Sequence, residues 1–105
     1  GNHWVELTLE GAAGRRKGGA NRFAIGARVR LTAGGVTQTR EVLSASGHFG
    51  SAPSRVLHFG LGKNTKITKI EVVWPDRAGS RQVFENLAAD RRYLIRQGEK
   101  TPVSR

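Results

Sequence analysis

The chain has 105 residues, with 18 Lys plus Arg against 8 Asp plus Glu, no cysteine and 37% hydrophobic residues. That length supports one domain around one core, and the absent cysteines exclude disulfides, thiolate catalysis and zinc–sulfur sites. The formal net charge of +10 suits an acidic partner (nucleic acid, sulfated glycan, anionic membrane or acidic protein) as well as it suits a merely hydrated surface, and no apolar run reaches the length of a membrane span.

Residues 3–10 read as a strand. Val5, Leu7 and Leu9 face one way while Glu6, Thr8 and Glu10 face the other, the period of two of a half-buried strand. Trp4 falls on the polar side and is expected to cover the end of the core; Asn2-His3-Trp4 is the alternative, a ligand platform. Residues 11–22, GAAGRRKGGANR, form a basic glycine-rich loop. It lacks the Gly-Lys-Ser/Thr ending of a P-loop, and no helix follows to receive a phosphate. Arg15, Arg16 and Lys17 are its best phosphate or sulfate contacts, against the plainer expectation of a hydrated surface loop.

Residues 25–32 read as the second strand, with Ile25, Ala27, Val29 and Leu31 inward and Arg28, Arg30 and Thr32 outward. Gly34-Gly35 makes a two-residue hairpin turn, because glycine accepts the positive φ of a primed turn. The return strand covers residues 36–43 and carries Arg40. Whether Arg40 joins Arg28 and Arg30 on one face depends on register. In the loop of residues 44–54, SASGHFGSAPS, His48 and Phe49 stand between glycines. They form a recognition tip, or Phe49 folds back as a plug over the open end of the core.

Residues 55–76, RVLHFGLGKNTKITKIEVVWPD, are the most patterned stretch. They read as two strands joined by a Gly/Asn/Lys turn, with Leu57, Phe59 and Leu61 alternating in one and Ile70, Val72 and Trp74 in the other. Pro75 closes the second strand. Gly60 and Gly62 permit a bend or a close backbone approach, and His58 is expected packed or hydrogen-bonded at the core margin. A turn at residues 76–80, a strand at 81–84, a short helical turn at 86–91 capped by Asn86 and a last strand at 92–97 follow. In that last strand Leu94 opposes Tyr93 and Ile95. About seven short strands without an amphipathic helix predict an all-β fold, a small antiparallel β-sandwich or partly open barrel over residues 2–97, with residues 98–105 as a flexible tail.

Catalytic chemistry has no visible carrier. The carboxylates sit at outward strand or loop positions, and no G-x-S-x-G is present. His3, His48 and His58 lack ligand spacing for zinc, and no Asp-rich loop suggests calcium. The expectation is a protein that is not an enzyme and holds no metal or cofactor. Nucleic-acid binding keeps its electrostatic half, but Arg28 and Arg30 lack the aromatic companions that base stacking requires. The candidate ligand-binding set is Arg15, Arg16, Lys17, Arg28, Arg30, Arg40, His48 and Phe49.

Several segments in order carry a family resemblance. They are Asn2-His3-Trp4 with the strand through Leu9 and Gly11, Ile25-Gly26-Ala27-Arg28-Val29, the Gly34-Gly35 hairpin, Arg40-Glu41-Val42, His58-Phe59-Gly60-Leu61-Gly62, Val73-Trp74-Pro75, Asn86-Leu87 and Ala89-Asp90. Over residues 2–97 the chain resembles the ASPIC/UnbV domain family. The resemblance implies a non-catalytic domain at the C-terminal end of a larger secreted or cell-surface protein, after FG-GAP-type repeats that form a β-propeller. Calcium ligands, where present, belong to those repeats, and no family site residue maps onto this chain. The chain accordingly reads as a module of a longer gene product. It would dock on the adjacent propeller or bind a glycan; the alternative is a polyanion bound through the basic loop and strand face.

Overall fold

The computed structural model describes residues 2–12, 19–20, 24–42 and 56–104. Every regular element among them is a strand: β1 (His3–Glu10), β2 (Arg28–Ala33), β3 (Val36–Glu41), β4 (Val56–Gly62), β5 (Lys66–Val73), β6 (Arg81–Ala88), β7 (Arg91–Arg96) and β8 (Val103–Ser104). They form two four-stranded sheets, β4-β1-β7-β8 and β3-β2-β5-β6. The fold is a small β-sandwich, and the sheets do not close into a barrel.

Alternation places the core between the sheets. The first sheet contributes Val5, Leu7, Leu9, Leu57, Phe59, Leu61 and Ile95, and the second contributes Val29, Leu31, Ile67, Ile70, Val72 and Phe84. Trp74, 1% exposed, follows β5 and is among the largest side chains in this core. Each such aliphatic side chain contributes about 1.5–3 kcal/mol on burial. Tyr93, Leu94 and Ile95 are all buried, so β7 lacks the one-sided burial expected of residues 92–97.

The strand pairs are antiparallel except one, since β1 runs parallel to β7 with Leu7 opposite Tyr93. The exception follows from how the chain changes sheets. β4 and β5 do not pair as neighbours in a hairpin; they lie in opposite sheets. Asn64 turns the chain across the core by donating its backbone N–H and its side-chain Nδ2 to the Leu61 carbonyl, at 3.0 and 2.9 Å. Gly34 packs on that asparagine, where a β-carbon would meet the Asn64 amide, and Gly34 and Gly35 both have positive φ, 58° and 78°. The β2–β3 hairpin is therefore primed, as the glycine pair requires.

Residues 86–91 contain no helical turn. β6 continues to Ala88, and the chain then crosses to β7 through Ala89 and Asp90. Asn86 takes φ 58° inside β6. That single left-handed residue resets the alternation, so Phe84 is buried and Leu87, three positions on, also packs on the core. The crossing is held by backbone bonds from Ala89 N to Thr65 O and from Asp90 N to Trp4 O. The Tyr93 hydroxyl adds two more, donating to Ala88 O at 2.9 Å and accepting from Ala88 N at 3.1 Å. At the C-terminal end, Val103 and Ser104 pair with Leu94 and Tyr93 on the open edge of β7. Val103 stays exposed, so this short strand rests on backbone pairing.

Candidate functional site

The register of β2 and β3 separates the arginines. Arg28 lies opposite Glu41, Val29 opposite Arg40 and Arg30 opposite Thr39. Arg40 thus shares the face of Val29, which points into the sandwich, while Arg28 and Arg30 point away from it. At the sheet edge Arg40 reaches over the Phe59 ring, 5.2 Å from its centroid, and Gln38 donates to the Gly60 carbonyl. These contacts join the edge strands β3 and β4, which adds a cation–π contact of about 0.5–1 kcal/mol.

On the outer faces five arginines are met by carboxylates. Arg28 pairs with Glu41 at 3.1 Å, and Glu71 is flanked by Arg30 at 3.9 Å and Arg81 at 3.7 Å. On the other sheet Glu6 takes Arg92 at 2.9 Å and His58 at 3.2 Å, and Glu10 takes Arg96 at 3.6 Å. Each exposed pair is worth ~0–1 kcal/mol. Their effect on recognition is to offset part of the charge of Arg28 and Arg30, although Glu71 is shared by two arginines and Lys69 stands beside it. A shallow recess of about 200 Å³ lies here, lined by Arg30, Thr32, Thr37, Lys69 and Glu71, with the two threonine hydroxyls bonded to each other at 2.9 Å.

All eight acidic residues lie among the described residues, with twelve of the eighteen Lys and Arg. Arg15, Arg16, Lys17, Arg22, Arg55 and Arg105 lie outside them, as do His48 and Phe49. The attachment points of residues 13–18 and 43–55 are described, and they converge on one end of the sandwich. Gln97, 7% exposed, accepts from Ala12 N at 2.9 Å and Ala20 N at 2.8 Å through one oxygen. Its Nε2 donates to Asp76 at 2.9 Å, and its backbone N–H to Glu10 O. Gly19 packs so closely on Ala12 that a β-carbon would sit 2.6 Å from the Ala12 carbonyl carbon. Beside them Gly26, φ 98°, adjoins Pro75 and donates to Val42 O, and Val56 pairs with Thr8. Gln97 is the functional-region residue that the sequence reading passed over. A glutamine ending a strand carries no local signal of a partner 85 residues away.

Asp76 organises the same end. Hydrogen bonds from Ser80, first its side chain and then its backbone N–H, hold the Asp76 carboxyl below the usual range; Gln97 and Gly79 add to this, against some desolvation. A carboxyl lowered in the folded state stabilises the fold above its unfolded value and loses that contribution as pH falls through the folded value. The difference in thermal midpoint between wild type and Asp76→Asn is therefore expected to be widest above roughly pH 5 and to close below roughly pH 4. A difference that does not vary with pH would remove Asp76 from this role.

Near the opposite end, Trp4 stands 40% exposed on the outer face of β1 and outside the core cluster; Trp74 fills the interior instead. Its backbone is held by Asp90, which accepts from Trp4 N at 3.3 Å and donates its own N–H to Trp4 O. The Asp90 carboxylate also meets His3 Nδ1 at 2.7 Å, and this bond, followed by that from Trp4, lowers its pKa. His58, expected packed or hydrogen-bonded at the core margin, is exposed on the same outer face and meets Glu6 there at 3.2 Å, so it has a polar partner without being packed.

The sequence profile of the ASPIC and UnbV family matches residues 17–102. The chain belongs to that family, whose domains are generally found with FG-GAP repeat proteins. No match was found among curated proteins or among solved structures. The family segments acquire definite roles in the fold. Gly26 seats against Pro75, Trp74 and Asp76 brace the adjoining turn, and Asp90 fixes Trp4.

Proposed function

We propose that this domain is a non-catalytic binding module of a larger extracellular repeat protein, and that it engages an acidic polymer, a sulfated glycan, through the end where residues 13–18 and 43–55 attach. The observation that carries the reading is the segregation of charge. Glu6, Glu10, Glu41, Glu71 and Glu99 are paired with arginine on or beside the sheets, whereas Arg15, Arg16, Lys17, Arg22 and Arg55 belong to segments that contain no acidic residue and whose described ends meet at one end of the sandwich, where Asp76 is the neighbouring acid. Basic charge concentrated in acid-free segments at one end attracts a polyanion better than the same charge spread over faces where carboxylates offset part of it. Docking on an adjacent propeller would call for a contiguous apolar patch. The large exposed apolar side chains among the described residues are divided between the sheets, Trp4 and Val103 on one and Val36 and Val83 on the other.

The test is heparin binding across a salt series. Affinity is expected to fall steeply with salt, and replacing Arg15, Arg16 and Lys17 by serine should weaken binding and flatten the slope by about three charges. Arg28→Ser and Arg30→Ser should change it little. Absence of binding at moderate salt, or an unchanged triple variant, would refute the proposal. Equal or tighter binding of single-stranded DNA would reassign the polymer.

A further inference from the structure

We propose that the outer face of the β4-β1-β7-β8 sheet carries a stacking site for a neutral sugar ring, with Trp4 as its aromatic wall and the Gly60 backbone as its floor. This site is separate from the loop-bearing end. Three segments distant in the chain meet at it: Trp4 lies opposite Gly60, His3 opposite Gly62, Glu6 opposite His58, and Asp90 clamps the Trp4 backbone.

Gly60 is the informative residue. Glycine inside a strand weakens it and is retained for a special φ, for tight packing, or for close approach of another molecule. Gly62 needs its glycine, with φ 58°, and Gly34 packs on Asn64. Gly60 has no positive φ, and a β-carbon added there would meet nothing within 4 Å. Among the described residues neither backbone conformation nor packing explains it. The same distance shows that the Trp4 ring does not lie over Gly60 to replace its missing side chain. A notch stays open beside the indole, and the register shift between the His3 and Trp4 pairs bends β4 at this point. Bulges of this kind re-aim side chains at binding sites.

The surroundings select the ligand. Trp4 offers an exposed indole face, and its ring N–H has no hydrogen-bond partner among the described residues. Around it His3–Asp90 and the Arg92–Glu6–His58 group supply donors and acceptors already held in place. The C–H face of a pyranose stacks on an aromatic ring while its hydroxyls take up both donors and acceptors. Glu6 is balanced by Arg92 and Asp90 is engaged by His3, so these groups offer no unpaired cation for a sulfate or phosphate and the site favours an uncharged sugar.

The experiment titrates the purified chain with a panel of neutral hexasaccharides of glucose, mannose, xylose and N-acetylglucosamine, following heat and the acrylamide quenching of Trp emission. The expected result is saturable binding of at least one member, unchanged by added salt, with Trp4 protected from quencher while buried Trp74 contributes a constant background. Trp4→Ala should lose the quenching response, and both Trp4→Ala and Gly60→Val should weaken binding about tenfold or more. Gly60→Val should keep or raise the thermal midpoint, since valine suits a strand and has room. The Arg15, Arg16 and Lys17 triple variant should bind the neutral sugar normally, which separates this site from the acidic-polymer reading. No binding by any panel member, undiminished binding in Gly60→Val, or a lowered midpoint in that variant would overturn the proposal.

Discussion

Trp74→Ala is expected to cost about 3–5 kcal/mol. Trp74 is 1% exposed, and its indole N–H donates to Gln82 Oε1 at 2.7 Å. That oxygen also accepts from Gly98 N at 2.9 Å, while Gln82 Nε2 donates to Glu99 O at 3.1 Å. One ring thus fills the core and supports the side chain that ties the segment after β7 to β6. Small domains hold only about 5–15 kcal/mol in all, so the loss should lower the thermal midpoint by roughly 12 °C or more. Trp74→Phe keeps much of the volume and loses the N–H, so it should fall between. Scanning calorimetry of the two variants decides the matter, and an unchanged midpoint in Trp74→Ala would show that the ring is dispensable.

Gln97→Ala should be the second most damaging change, at about 2–4 kcal/mol. The methyl group leaves the Ala12 and Ala20 amides without their acceptor in a buried setting, and each orphaned donor costs about 1–3 kcal/mol. Gln97→Glu separates the two halves of the side chain's work. It can still accept from both amides, but it replaces the donor to Asp76 with a second carboxylate. Its stability should therefore lie between alanine and wild type. Hydrogen exchange gives the site-specific readout, because the Ala12 and Ala20 amides should be protected in wild type and exchange early in Gln97→Ala. Equal protection in both proteins would mean that another group closes the base of that loop. The change should also weaken heparin binding, because Gln97 holds the ends of the segment that carries Arg15, Arg16 and Lys17.

The strands were readable wherever one face is buried. Leu57, Phe59 and Leu61, and likewise Val5, Leu7 and Leu9, announce themselves because a strand alternates its side chains between core and water. The Gly34-Gly35 hairpin was equally legible, since two positive φ values need two residues that tolerate them. Asn86 misled in the opposite direction. Asparagine caps helices and also enters the left-handed region, and only the surrounding strand pairing selects between these uses. Arg40 depended on register, a relation between two strands that neither strand contains by itself.

The candidate site was legible only as an inventory. The basic residues, Trp4 and the glycines are visible in the chain, but their meaning lies in neighbours far away in sequence. Arg28 and Arg30 look like a cationic patch until Glu41 and Glu71 are placed beside them. Gly60 resembles any strand glycine until the space above it is found empty.

By itself the sequence determined an all-β domain with one core, the positions of most strands, a large positive charge and the ASPIC/UnbV resemblance, because periodicity, composition and motif order are properties of the chain. Tertiary structure alone decided the two sheets, the crossing of β4 to β5, the parallel pairing of β1 with β7, the pairing of Arg28, Arg30 and Arg92 with carboxylates on the sheet faces and the clamp at Gln97. Those are long-range pairings, in which hydrogen bonds and charges find partners across the fold, and local sequence sets no partner at such a distance.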